Sequence, residues 1–164
     1  MHASLPDANT LIARLAAAIA PSLTPDTLIV GIHTGGAWVA ERLHAMLQCG
    51  MPLGTLDISF YRDDFSRIGL HPQVKPSNLP FDLEDRAILL VDDVLHTGRT
   101  VRAAMNELFD YGRPASIRLA VLVDRGGREL PIRPDFVGLA LDVPEHQNIN
   151  LSRLDDGHLT LSIA

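Results

Sequence analysis

A chain of 164 residues with 46% apolar and 21% charged side chains can bury one hydrophobic core, which excludes a disordered protein. Its net charge of −6, with Lys75 as the one lysine beside thirteen arginines, argues against a dedicated nucleic-acid binder, because such binders neutralise several phosphates. A single cysteine, Cys49, excludes an internal disulfide and a cysteine-built metal site. No apolar run approaches the roughly 20 residues that cross a bilayer, and the start lacks the basic-then-apolar pattern of a secretory signal. Cytoplasmic residence and no membrane partner are therefore expected.

Leu5, Ile12, Leu15 and Ile19 fall at helical spacing over residues 5–20, and Pro21 and Pro25 end the pattern. Residues 28–32 are a short branched apolar run, read as a buried strand. Helical character returns over 36–48 through Val39, Leu43 and Leu47, with Gly50 as the stop. Residues 52–61 read as a second strand. Residues 62–80 hold Gly69, Pro72, Pro76, Asn78 and Pro80 with little periodicity, and predict a mobile loop long enough to be a functional lid.

Residues 87–91 carry the strongest buried-strand signal, and 100–111 form the following helix, closed by Gly112. Residues 117–123 and 136–141 continue as strands, and 159–163 alternates as an edge strand. This succession predicts one α/β domain over residues 1–164, a mainly parallel sheet flanked by helices. Ligands of such sheets gather beyond the carboxyl ends of the strands. Segments 33–36, 92–100 and 124–127 all fall there, so one shared cleft is predicted.

Residues 89–101 read LLVDDVLHTGRTV. A buried strand delivers Asp92 and Asp93, and His96, Thr97, Gly98, Arg99 and Thr100 then open a helix, whose free N–H groups attract an anion. Gly98 permits close backbone approach, and Thr97 and Thr100 offer hydroxyl donors. Neither GxxxxGK[ST] nor GxGxxG is present. Two carboxylates would repel a bare phosphate, but they suit a sugar diol, Mg²⁺, or both. A phosphorylated sugar with vicinal hydroxyls satisfies the whole arrangement.

This run resembles the phosphoribosyl pyrophosphate (PRPP) motif of type I phosphoribosyltransferases. YRDD at 61–64, VDDVLHTGRTVRA at 91–103, GRPASI at 112–117 and LAVLVDRGGRELPIRPDFVG at 119–138 narrow the resemblance to the PyrR family, pyrimidine operon regulators with uracil phosphoribosyltransferase activity. The resemblance implies a type I phosphoribosyltransferase fold with a flexible hood loop. It also implies formation of UMP and pyrophosphate from uracil and PRPP with Mg²⁺. It assigns Asp92 and Asp93 to the ribose hydroxyls and to the metal, directly or through PRPP and water. Thr97, Gly98, Arg99 and Thr100 would surround the 5′-phosphate.

On the same resemblance Thr34, Gly35 and Gly36 form the pyrophosphate loop, where related enzymes often have a strained or cis peptide. Arg62 in the hood would clamp pyrophosphate, with Arg67 a weaker second candidate. Arg125 would lie near the base or pyrophosphate, Phe136 would stack on the base, and Val137 would read its edge through the backbone. His96 stands where the familiar family form has tyrosine. It either exchanges a proton with the base or lines the cleft as a spacer. Gly35 stands where Gram-positive members have arginine, which leaves more of the pyrophosphate to backbone groups and Mg²⁺.

The resemblance further implies a homodimer or higher homo-oligomer, and pyr leader RNA as a second partner. Arg14, Arg42, Arg113, Arg118 and Arg153 are the candidates for an RNA-binding face. The alternative is a uridine-nucleotide-sensing, RNA-binding attenuation regulator with vestigial catalysis.

Overall fold

The computed structural model describes residues 4–58 and 77–164. Its first helix, α1 (Ala8–Ile19), is capped by Asp7, whose carboxylate accepts from the Thr10 N–H at 3.3 Å. Leu11, Ile12, Leu15 and Ile19 make one buried stripe along it. Pro21 then tightens the chain into a 3₁₀ turn, Ala20–Ser22.

Every residue of β1 (Leu28–Ile32) is buried, as expected for a strand covered on both faces. α2 (Gly35–Met46), β2 (Gly54–Leu56), β3 (Ala87–Leu95), α3 (Arg99–Tyr111), β4 (Ser116–Asp124) and β5 (Phe136–Ala140) follow. The five strands pair in parallel in the order β2-β1-β3-β4-β5. α1 and α2 cover one face, packing Leu15, Val39 and Leu43 against Leu89, Val91 and Leu122. α3 covers the other, with Val101, Ala104 and Leu108 against Ile88, Leu90 and Val121. The α/β architecture read from the sequence is the one found.

Two strand boundaries stand out against the sequence expectation. β3 continues past the apolar run to Leu95, so Asp92 and Asp93 lie within the strand; Asp92 is in register with Val121. The long neighbour β4 keeps the backbone ladder going, and a ladder needs no apolar side chains. β2 is short, and residues 59–61 of the expected strand lie outside the described residues. So do residues 62–76 of the expected loop; at its end Asn78 forms an antiparallel bridge to Thr55.

Residues 159–163 do form a strand, but it is not an edge of the main sheet. β7 (Leu159–Ile163) pairs antiparallel with β6 (Ile149–Arg153), which the sequence reading missed. Ile149, Leu151 and Leu159 bury this hairpin against the core on the α1–α2 face.

The strand order also positions a cleft. From β1 the chain steps outward to β2, then returns across β1 to β3 and continues to β5. The connections after β1 and β3 therefore diverge and leave a crevice at the carboxyl ends of these two strands. Among the described residues, no helix is long and apolar enough to cross a membrane.

Candidate functional site

Gly35 and Gly36 set how closely α2 approaches β3. A Cβ at Gly36 would lie 2.7 Å from the Val91 carbonyl oxygen and 2.9 Å from the Asp92 Cα, so a larger residue would push the helix off the strand. The His33–Thr34 peptide that leads into this turn is cis, as the family resemblance led us to expect. The result is a cavity of about 310 Å³ lined by His33, Thr34, Gly35, Trp38, Asp92, Asp93, Val94, Thr100 and Leu151. A smaller cavity of about 60 Å³ adjoins it, sharing Asp92, Val94 and Thr100 and adding Leu95, His96, Thr97, Gly98 and Val101.

The two carboxylates are oriented by their own backbone. Asp92 is 4% exposed, and its Oδ1 accepts from the Asp93 N–H at 2.9 Å. Asp93, half-buried, accepts from the Val94 N–H at 2.8 Å. Among the described residues no group of three or more His, Cys, Asp or Glu side chains could hold a metal ion. A Mg²⁺ ion at this pair would need substrate oxygens and water to complete its six ligands.

Segment 125–130 fastens the turn after β3. The Arg125 N–H donates to the Leu95 carbonyl at 3.0 Å, Arg128 Nη1 to the His96 carbonyl at 2.9 Å, and the Glu129 and Leu130 N–H groups to the Thr97 carbonyl at 3.0 and 3.1 Å. In a planar trans peptide the following N–H points opposite to the carbonyl. The amides of His96, Thr97 and Gly98 are thereby directed away from that segment. Gly98 is the N-cap of α3 at φ 95° and has no side chain to cap with; of the first-turn N–H groups, that of Arg99 is met by Thr97 Oγ1. α2 likewise starts without a side-chain cap at Thr34. Two helix starts, each partly positive, therefore flank a pair of carboxylates.

The structure brings Thr34, Gly35, Gly36, Asp92, Asp93, His96, Thr97, Gly98 and Thr100 to this one place. His96 packs beside Gly127, where a Cβ would meet its Cδ2 and Nε2 at 2.8 Å. Arg99 contributes backbone here: its N–H donates to Thr97 Oγ1 at 3.2 Å, while its guanidinium pairs with Glu129 at 2.8 Å on the exposed surface. Arg62, Arg67 and residues 61–64 lie outside the described residues.

Three other candidates are placed differently from the sequence reading. The buried Arg125 guanidinium donates to the Gln147 carbonyl at 2.7 Å and the Pro144 carbonyl at 3.2 Å, so it ties down the loop before β6 and lines neither cavity of the cleft. Phe136 packs on the α1–α2 face with the Arg118 guanidinium carbon 5.4 Å from its ring centroid, and Arg118 is bonded to Ser22. A ring held there is a packing element and lines neither cavity. Val137 packs on the opposite face, against the α3 core, in register with Val121. The reason is strand geometry: both residues lie low on β5, whose carboxyl end is Ala140.

Sequence reasoning missed Trp38, Val94 and Leu151 as cleft walls. The one tryptophan, beside the glycine turn, was a readable signal; Leu151 arrives on the hairpin and had none. A larger cavity, about 800 Å³, lies between Leu5, the end of β5, the 142–147 loop and β7. Its lining offers one carboxylate, Asp142, and no helix start.

A family model described as the phosphoribosyl transferase domain matches residues 4–152. The chain is 62% identical over 129 residues to the bifunctional protein PyrR of Nitrosococcus oceani, covering 77% of this chain and 73% of that protein. It is 53% identical over 153 residues to the bifunctional protein PyrR of Pseudomonas fluorescens, covering 91% of each. Among solved structures, a purine phosphoribosyltransferase from Pyrococcus horikoshii matches with a TM-score of 0.62 and 25% identity over 87% of each chain. A hypoxanthine phosphoribosyltransferase from Staphylococcus aureus matches with a TM-score of 0.65 at 21% identity, covering 86% of this chain and 76% of that one; this likeness shows the fold.

Proposed function

Because the chain belongs to the PyrR family and carries its phosphoribosyl transferase domain, we propose that it forms UMP and pyrophosphate from uracil and PRPP. The observation that supports this best is the joining, at one crevice, of Asp92 and Asp93 with the starts of α2 and α3, whose N-cap residues make no side-chain cap bond. Acidic side chains suit a diol, and helix starts suit phosphate groups. PRPP carries both.

In the reaction a bond forms between N1 of uracil and C1 of the ribose. The bond from C1 to the pyrophosphate oxygen breaks with its electron pair, and the N1 proton passes to a base or to solvent. Asp92 and Asp93 hold the ribose hydroxyls so that C1 faces the base. The amides of residues 96–98 and the hydroxyls of Thr97 and Thr100 hold the 5′-phosphate. The turn at Thr34, Gly35 and Gly36 receives the departing charge through backbone groups. When bound, Mg²⁺ supplies charge neutralisation at pyrophosphate oxygens, with Asp92 and Asp93 as its residues through PRPP and water. His96, on the turn between the strand carrying the carboxylates and α3, is positioned either to take the N1 proton or to line the base pocket.

Incubating the protein with PRPP, Mg²⁺ and, separately, uracil, hypoxanthine, guanine, adenine or orotate tests the proposal. Uracil is expected to be consumed with release of pyrophosphate, and reaction with a purine alone would refute the assignment. The relatives' designation as bifunctional supports a second role in pyrimidine gene regulation. Arg14, Arg42 and Arg118, three of the five arginines considered for an RNA face, donate to Gly138, Gly157 and Ser22 within the fold. Binding of pyr leader RNA over a salt series, with and without UMP, tests that role, and light scattering tests the homo-oligomer.

A further inference from the structure

PRPP brings a multiply charged pyrophosphate into a cavity whose carboxylates, Asp92 and Asp93, are themselves acidic, and no arginine or lysine of the described residues lines it. Position 35 cannot supply a cation while Asp93 stays where it is: a Cβ there would run into the Asp93 carboxylate. The hairpin offers one from the other side. On β6, Ile149 and Leu151 point inward and Leu151 lines the cavity. Strand alternation puts Arg153 on that same face, one step beyond Leu151.

Its guanidinium carbon lies 5.0 Å from the centroid of the Trp38 ring, and Trp38 lines the same cavity. Stacking on an indole holds a guanidinium at a fixed place without consuming its hydrogen-bond donors. The Arg153 guanidinium makes no ion pair or hydrogen bond with any of the described residues. Arg42, on α2, steadies the hairpin from below by donating to the Gly157 carbonyl.

We propose that Arg153, held on Trp38 at the rim of the cleft, is a pyrophosphate-binding residue for PRPP. The hairpin thus provides the cation that the glycine turn lacks. This inference rests on the phosphoribosyltransferase reading above and adds a residue to it. A guanidinium there strengthens its hold as negative charge moves onto the leaving pyrophosphate. It has no part in binding UMP, which has the ribose and 5′-phosphate but no pyrophosphate.

Calorimetric titration of the full chain with PRPP, pyrophosphate and UMP, each with Mg²⁺, tests the proposal in wild type, Arg153→Gln and Arg153→Lys. Arg153→Gln is expected to weaken PRPP and pyrophosphate about tenfold, the scale of one charge-assisted contact, and to leave UMP unchanged. Arg153→Lys keeps the charge but not the planar stack and is expected to fall between. Unchanged PRPP and pyrophosphate affinities in Arg153→Gln would overturn the inference, as would an equal loss for UMP, which would mark a merely structural role. Failure of the wild type to bind either PRPP or UMP would instead overturn the functional reading itself.

Discussion

Asp92 and Asp93 are neighbours that alternate across a strand, yet both reach one cleft because the start of α2 lies almost on top of them. Asp92 sits beneath Gly36 and Asp93 beside Gly35. Replacing both by asparagine preserves shape and removes the charge that a diol or a metal ion needs. Turnover of PRPP in Asp92→Asn/Asp93→Asn is expected to fall at least about 100-fold, with the protein still folded. Near-normal turnover in the purified, folded double variant would reject their assigned role. Arg99 shows how magnitude separates roles at this scale. Its exposed pair with Glu129 is worth about 0–1 kcal/mol, too little to make the guanidinium a fixed part of the site.

At the scale of elements, a loop reinforces the strand ends, where Leu95 already pairs with Asp124 and Asp124 with Ala140. Arg128 donates from Nε to the Ile132 carbonyl at 2.9 Å, from Nη1 to His96, and from Nη2 to Asp124 Oδ2 at 2.7 Å. The end of β4, the loop after it and the turn after β3 are thereby joined. Burial pushes the Asp124 carboxyl up, but the Arg128 hydrogen bond, the Gly126 N–H and the Arg128 charge outweigh it, and the net result is a lowered pKa. A carboxyl depressed on folding contributes stability that is present above its unfolded value and lost as pH falls through the folded one. The stability gap between wild type and Asp124→Asn, measured by urea unfolding, is therefore expected to be full at pH 7 and to shrink below the ordinary aspartate value of 3.8. A gap that stays constant into acid would contradict the coupling.

Glu107 shows the opposite sign and belongs to the scale of the whole molecule, since it joins α3 to the chain returning to β2. Ser77 Oγ donates to Glu107 Oε1 and accepts from the Asp57 N–H at 3.0 Å. Burial raises the Glu107 pKa; the Ser77 hydrogen bond opposes this, and the Asp57 and Asp110 charges add to the rise. A raised carboxyl favours the folded state below its unfolded value and loses that contribution as pH climbs through the folded value. Glu107→Gln keeps an acceptor for Ser77 without the charge. It is expected to melt above wild type at pH 7, with the difference closing as pH falls through the raised folded value toward the ordinary glutamate value of 4.5. An equal difference at both ends would exclude ionisation as the cause.

Local sequence determined the α/β class, the buried strands and the placing of 33–36 and 92–100 beyond strand ends, because burial on both faces and turn chemistry are written in neighbouring residues. It also set the carboxylate pair and the helix start a few positions apart, the pattern on which the phosphate–diol proposal rests. Tertiary structure alone decided the rest. The reversal of strand order at β1 and β3 opened the crevice, and the β6–β7 hairpin carried Leu151 and Arg153 to Trp38. Folding also turned Arg125 toward Pro144 and Gln147, and Phe136 toward Arg118. These contacts join residues far apart in the chain, and no local periodicity reports which distant surface a side chain will meet.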